Sequence, residues 1–254
     1  MFDTARNLDS EFLVYRPEVQ LLAATKIVNW PEWAQGPGQG QGTEMERVTE
    51  LAGRVCYDSW GRGRGSSEYH AHIMEAAHGS VTEHTSMTFI IAGVSRALTH
   101  ELIRHRVGTA ISQRSTRYVD ESEGRVVVPP TFIILEGDEP RVAGWKRSSQ
   151  ERLLTAHSRS CSLYTETFEA ARVAGVDLKT ARGAARAHLL TNHETELVWS
   201  CNVRALYNIL AQRDTVFADA EIRRLFADYI LPFASNLAPA YFRDGEINGH
   251  WGSL

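Results

Sequence analysis

The chain has 254 residues, 43% hydrophobic and 23% charged, a balance ordinary for a globular protein with a sizeable core. Its formal net charge of −4 argues against a surface that binds nucleic acid all over, so clustered arginines point to a local site for a small acidic ligand. Cys56, Cys161 and Cys201 lie far apart without CxxC spacing, which supports neither a disulfide framework nor a zinc ribbon and fits a reducing, cytoplasmic setting.

The opening MFDTARNLDSEFLVYR lacks a continuous apolar segment, and no window approaches the roughly 18 apolar residues of a membrane span. Val19 to Thr25 reads as a buried strand, followed by a Gly/Pro/Gln stretch without periodicity, a flexible loop near 29–43. Its GPGQGQG matches neither dinucleotide-binding nor P-loop spacing. From Glu44, Val48, Leu51, Ala52 and Val55 recur at helical spacing. Ser66 or Ser67 is expected to cap a second helix, EYHAHIMEAAHG, ending at Gly79.

SMTFIIAGV reads as a strand, and ALTHELIRHR as a helix with Leu98, Leu102 and Ile103 on one face, stopped by Gly108. GRVVVPPTF reads as a strand ended by Pro129 and Pro130, and a long helix is expected from about Glu139 through Ala174. Asp177 should cap the next helix, LKTARGAARAHLL. ELVWSCNV reads as a strand, and RALYNILAQR and ADAEIRRLFADYILPFASNL as helices, with Ala220, Ile222, Leu225 and Ile230 buried. Strands separated by long helices, without strict βαβ repetition, indicate one α+β domain over 1–254, with an antiparallel or mixed sheet packed by long helices.

THELIRHRVGTAISQRSTRYVDE, residues 99–121, gathers Arg104, His105, Arg106, Arg114 and Arg117, with hydroxyl residues Thr109, Ser112, Ser115, Thr116 and Tyr118 threaded between them. Successive helical residues lie about 100° apart, so Arg104, His105 and Arg106 serve different clients or sit at a helix end. A solvated basic helix end is the plain alternative. Gln113, Arg114, Ser115 and Arg117 offer guanidinium forks beside hydroxyl and amide donors, the groups that a phosphate monoester and a nucleobase edge require. His70, His72, His78 and His84, with Glu75 nearby, have poor spacing for a metal, and none is expected.

RHR, eight residues, then STRY resembles the signature of the flavin-dependent thymidylate synthases. HGSVTEHTSMTF before it and NVRALYNILAQR after it are similar to two further segments of that family, so the likeness spans roughly residues 45 to 230. The resemblance implies a homotetramer that binds FAD and methylates C5 of a uracil nucleotide, with methylenetetrahydrofolate as one-carbon donor and NADPH as reductant. Carried over by position, His78, Ser80, Glu83, Arg104, His105, Arg106, Asn202, Arg204 and Asn208 fall on the flavin and folate side. Glu101, Gln113, Arg114, Ser115, Arg117, Arg186 and Arg213 fall on the nucleotide side.

Arg213 and Ser115 are the catalytic candidates, Arg213 as the fixed cation that polarises the uracil ring and Ser115 as a substrate contact rather than a covalent nucleophile. Singly, each has a plainer reading: His78 as a helix-end residue, Glu83 as a surface charge, Asn202 and Asn208 as helix caps. Phe217 stands where many members place His, Leu190 where Pro is common, and the eight-residue spacer is one longer than the commoner seven. The longer spacer leads to the expectation that a ribose 2′-hydroxyl is tolerated, as in the UMP/dUMP methylase offshoot of nucleoside-antibiotic pathways. A catalytically lapsed FAD- or nucleotide-binding regulatory module is the alternative, and a binder of long nucleic acid the least favoured.

Overall fold

A computed structural model of the chain describes residues 3, 6–35, 40–61 and 63–242. Part of the glycine-rich loop, residues 36–39, lies outside them. The fold is α+β. The strands are β1 (Leu13–Val14), β2 (Glu18–Ala24), β3 (Ser86–Ser95), β4 (Thr109–Gln113), β5 (Val126–Val127) and β6 (Glu194–Asn202). The helices are α1 (Glu44–Tyr57), α2 (Ser66–Glu75), α3 (Arg96–Leu102), α4 (Pro140–Val173), α5 (Leu178–Ala185), α6 (Val203–Arg213), α7 (Ala220–Arg224) and α8 (Leu231–Leu237). A six-residue π-helical stretch, Leu225–Ile230, joins the last two.

β1 and β5 pair in parallel, while the other four strands form one sheet in the order β2-β3-β6-β4. Hydrogen bonds at one end of the β2–β3 pair and at both ends of the other two pairs fix the direction. Thr25 N–H donates to the Ser86 carbonyl, Val203 to Thr85 and Arg96 to His193, then Asn202 to Gly108 and Arg114 to Glu196, so low numbers face high ones and this sheet is antiparallel.

The chain divides into two compact units, to which β3, β4 and β6 each contribute residues on both sides of the division. The first is Met1–Glu18, Ile91–Leu102 and Ser112–Leu197. Its core gathers Leu13, Val126, Val128 and Ile133, flanked by Leu153 and Leu154 of α4. α4 begins with Pro at its first turn, where a missing N–H costs nothing, and α5 is capped by Asp177, whose carboxylate accepts from Thr180 N–H at 3.1 Å.

The second unit is Val19–Ile90, Ile103–Ile111 and Val198–Leu254. In its core Phe89 stacks on Trp199 and Phe226 meets Trp199 edge-on, all essentially inaccessible. Thr43 and Glu46 form a capping box at the start of α1.

Several expectations need correction. β2 is not buried: Leu22 is 57% exposed. α1 has the expected span, but it buries Glu46, Thr49, Glu50 and Arg54 while Val55 faces outward. Glu50 accepts from Arg54 Nε and from Ser66 Oγ, each at 2.7 Å, so the buried charges satisfy one another and the polar face can turn inward. α2 is capped by Gly65, with Ser66 inside it, and it ends at Glu75; Gly79 opens a 3-10 helix, Gly79–His84. α3 stops at Leu102, leaving Ile103 43% exposed and the RHR segment outside the helix. The strand read over GRVVVPPTF is two residues long, since Pro129 and Pro130 remove the donors that would extend it.

Candidate functional site

In the second unit, Gly108 sets the turn after RHR. Its φ is +68°, and a Cβ there would lie 2.6 Å from Asn202 Nδ2. Only glycine allows this approach. Asn202 N–H donates to the Gly108 carbonyl at 2.9 Å, and its Oδ1 accepts from Ala205 N–H at 2.8 Å, capping α6. Asn202 thus joins the spacer to the helix that carries Arg204, Asn208 and Arg213. The plainer expectation for Asn202, a cap, is realised.

Arg213 Nε donates to His105 Nε2 at 2.9 Å. An accepting Nε2 needs its lone pair, so His105 is neutral in this arrangement. Burial chiefly, then the neighbouring Arg213 and Arg104 guanidiniums, hold its pKa below the ordinary histidine value. Thr109 Oγ1 donates to the His105 carbonyl, fixing the segment further. Arg104 and Arg106 are exposed, and among the described residues neither has an ion-pair partner. Arg204 of α6 pairs with Glu83 of the 3-10 helix.

His78 stands elsewhere in this unit. It stacks on Tyr57, ring centres 5.8 Å apart, and lines a cavity of about 400 Å³ with Arg54, Arg64, Tyr69 and His72. Ser80 is exposed on the 3-10 helix, and Asn208 is half-buried on α6.

The first unit holds Glu101, Gln113, Arg114, Ser115, Arg117 and Arg186. Gln113 Nε2 donates to Thr99 Oγ1 at 3.1 Å and to Thr195 Oγ1 at 3.3 Å. The Ser115 carbonyl accepts from Tyr118 and Val119 N–H, both at 3.0 Å, closing a tight turn. α5 supports that turn: Arg182 Nη1 donates to the Tyr118 carbonyl at 2.6 Å, and its Nη2 lies 3.7 Å from Asp120. Arg117 is exposed beside Gly183 of α5, and Arg186 is exposed at that helix's end. Glu101 is half-buried on α3. Arg114 Nε lies 3.4 Å from the buried Glu121. Arg213, expected on the nucleotide side, shares the second unit with RHR.

Sequence reasoning passed over Glu121, His193 and Arg182. Glu121 sits in VDESEGR, which has the composition of a solvated loop, yet it is 2% exposed. Its signal is only its place among the carboxylates Asp120, Glu121 and Glu123 after STRY, too weak to single it out. Among the described residues, no group of His, Cys, Asp and Glu could hold a metal ion. No described helix is long and apolar enough to cross a membrane.

A family profile described as thymidylate synthase complementing protein matches residues 41–240. The chain belongs to that family. A flavin-dependent thymidylate synthase of Mycobacterium marinum is 38% identical over 242 residues, covering 90% of both chains, and one of Mycobacteroides abscessus is 37% identical over 235 residues with the same coverage. A crystal structure of the UMP/dUMP methylase PolB from Streptomyces cacaoi with 5-Br dUMP has a TM-score of 0.62 at 20% identity, covering 90% of this chain and 93% of that one. The same protein with 5-Br UMP gives 0.59 at 21%, covering 90% and 92%. At that identity, the likeness establishes a shared fold for this thymidylate synthase complementing family member.

Proposed function

We propose that this chain is a flavin-dependent methylase that converts a uracil nucleotide, dUMP or UMP, to its C5-methyl form. The observation that carries it is the state of the signature arginines: Arg104 and Arg106 are exposed without ion-pair partners among the described residues, and between them His105 is held neutral against Arg213. Family membership and the named relatives supply the reaction class.

The donor set fits FAD. Arg104 and Arg106 suit its diphosphate, with His105, Asn202, Arg204 and Asn208 following on the same unit, and Glu83 holding Arg204 in place. His78 and Ser80 are proposed on the flavin and folate side, His78 at the mouth of its aromatic-lined cavity. When bound, the flavin supplies hydride chemistry that no side chain can. Methylenetetrahydrofolate is the proposed one-carbon donor and NADPH the reductant.

The Ser115–Tyr118 turn, with Arg117 and Arg186, offers a cationic, hydroxyl-bearing surface for the nucleotide phosphate, joined by Gln113 and Glu101. Ser115 Oγ accepts weakly from Arg117 N–H at 3.4 Å, which leaves its own proton available to the substrate. Arg213 is the fixed cation proposed for the uracil ring. Phe217 is 95% exposed, so it fills no pocket in the single chain.

The protein is proposed to work as one α+β domain over 1–254, assembled as a cytoplasmic homotetramer. Exposed Val55, Tyr57, Trp145 and Val216 supply apolar surface for such contacts. Acceptance of UMP, and with it a place in specialised nucleoside metabolism, rests on the eight-residue spacer. Product analysis with FAD, NADPH, methylenetetrahydrofolate and either nucleotide tests the reaction: a C5-methyl product from at least one is expected. Bound flavin with no methylated product from either would instead establish a binding module, and product from dUMP alone would sink the ribonucleotide reading.

A further inference from the structure

The loop from Arg114 to Glu121 carries Ser115 and Arg117, and an ion pair links its two ends: Arg114 Nε stands 3.4 Å from Glu121 Oε1. Side chains alternate along extended backbone, so Arg114, next after β4, is directed away from Gln113 and toward Glu121. Glu121 is 2% exposed, and its second oxygen, Oε2, lies 3.1 Å from Nε2 of the fully buried His193. From α4, the Tyr164 hydroxyl accepts from Glu121 N–H at 3.4 Å. Arg96, half-buried on α3, donates to the Arg114 carbonyl at 3.4 Å.

A buried carboxylate requires compensating partners. Glu121 has one on each oxygen, the first from the start of its own loop and the second from the residue that leads into β6. Arg114 Nε and Glu121 Oε1 are both buried and lack an aligned hydrogen bond to any other atom, so each is the natural partner of the other.

We infer that Glu121 is a positioning residue that acts through Arg114, clasping the loop at its base so that Ser115 and Arg117 are held where a uracil nucleotide binds, an inference that rests on the nucleotide-binding reading of this turn. Arg114 is then a positioning residue too, rather than a direct substrate contact. Arg182 and Asp120 brace the outer part of the loop, and Glu121 and Arg114 set its root.

The test uses flavin-loaded full-length protein: wild type, Glu121→Gln, Arg114→Met and the double variant. UMP and dUMP dissociation constants are measured by calorimetry, with kcat, KM, flavin content and thermal midpoint alongside. Each single variant is expected to weaken nucleotide binding about tenfold, the scale of one charge-assisted contact. KM should move more than kcat, flavin content should hold, and the double variant should bind no worse than the weaker single. Losses that multiply in the double variant, an unchanged dissociation constant in either single, or a loss that follows flavin content would overturn the clasp. Should Glu121→Gln not fold, Arg114→Met alone decides, since unaltered binding there refutes it. Wild type that retains flavin and binds neither nucleotide would remove the nucleotide reading of the turn and the clasp with it.

Discussion

His105 and Arg213 form a contact that works only with an uncharged imidazole. The folded pKa lies below the ordinary value of about 6.5. Protonation is thus confined to acid, where it would replace the Arg213 hydrogen bond by repulsion. Turnover is expected to fall as pH drops below about 6.5. Arg213→Met removes one of the charges that lower His105, so its acid limb should move to higher pH, and turnover should drop at least about a hundredfold if Arg213 stabilises charge on the ring. A pH–rate profile of both proteins checks this, and an unmoved limb counts against His105 as its origin. At this scale, arginines and hydroxyls were legible because their types and spacing carry chemistry. Glu121 and His193 were not, because burial is decided by distant residues: His193 meets Glu121 across 72 positions of chain.

α1 shows what helical periodicity can and cannot tell. Its span was readable, with Thr43 and Glu46 marking the start. Which face turns inward was not, since the buried charges find partners far along the chain: Glu46 accepts from Ala240 N–H at 2.6 Å. Glu50→Ala would leave Arg54, whose side chain is 2% exposed, without its carboxylate, and a loss of roughly 3 kcal/mol is expected from denaturant unfolding. A loss below about 1 kcal/mol, the range of exposed pairs, would mean that the carbonyls of Ser59 and Arg64 suffice for Arg54. α4 matched its expected bounds closely because proline acts locally, and α5 began where Asp177 caps it but ended at Ala185, short of the expected Leu190, as α3 ended early where RHR departs from the helix.

Among the described residues, three buried or half-buried histidines share one direction. His70, His105 and His157 all have folded pKa values lowered first by burial, against the carboxylates of Glu46 and Glu50 at His70 and the Gly124 carbonyl at His157. The unfolded chain therefore binds protons more readily. Their stabilising contribution is complete above the unfolded value near 6.5 and is lost as pH falls through the lower folded values. The thermal midpoint should decline between pH 7.5 and pH 5.5, roughly the span that brackets that value, and a flat profile there would contradict these shifts. The α+β class was legible from alternating strands and helices, but the direction of β1 and β5 was not, because a two-residue parallel pair leaves almost no pattern.

The approach of Gly108 to Asn202 also limits where this protein can vary. A side chain at 108 would collide with the residue that caps α6, so the first positions of the spacer are locked to that helix. Any length difference from relatives with seven spacer residues has to be absorbed after Gly108, in Thr109–Arg114. Mutational libraries aimed at sugar preference are therefore best confined to those six positions, with Gly108 left alone.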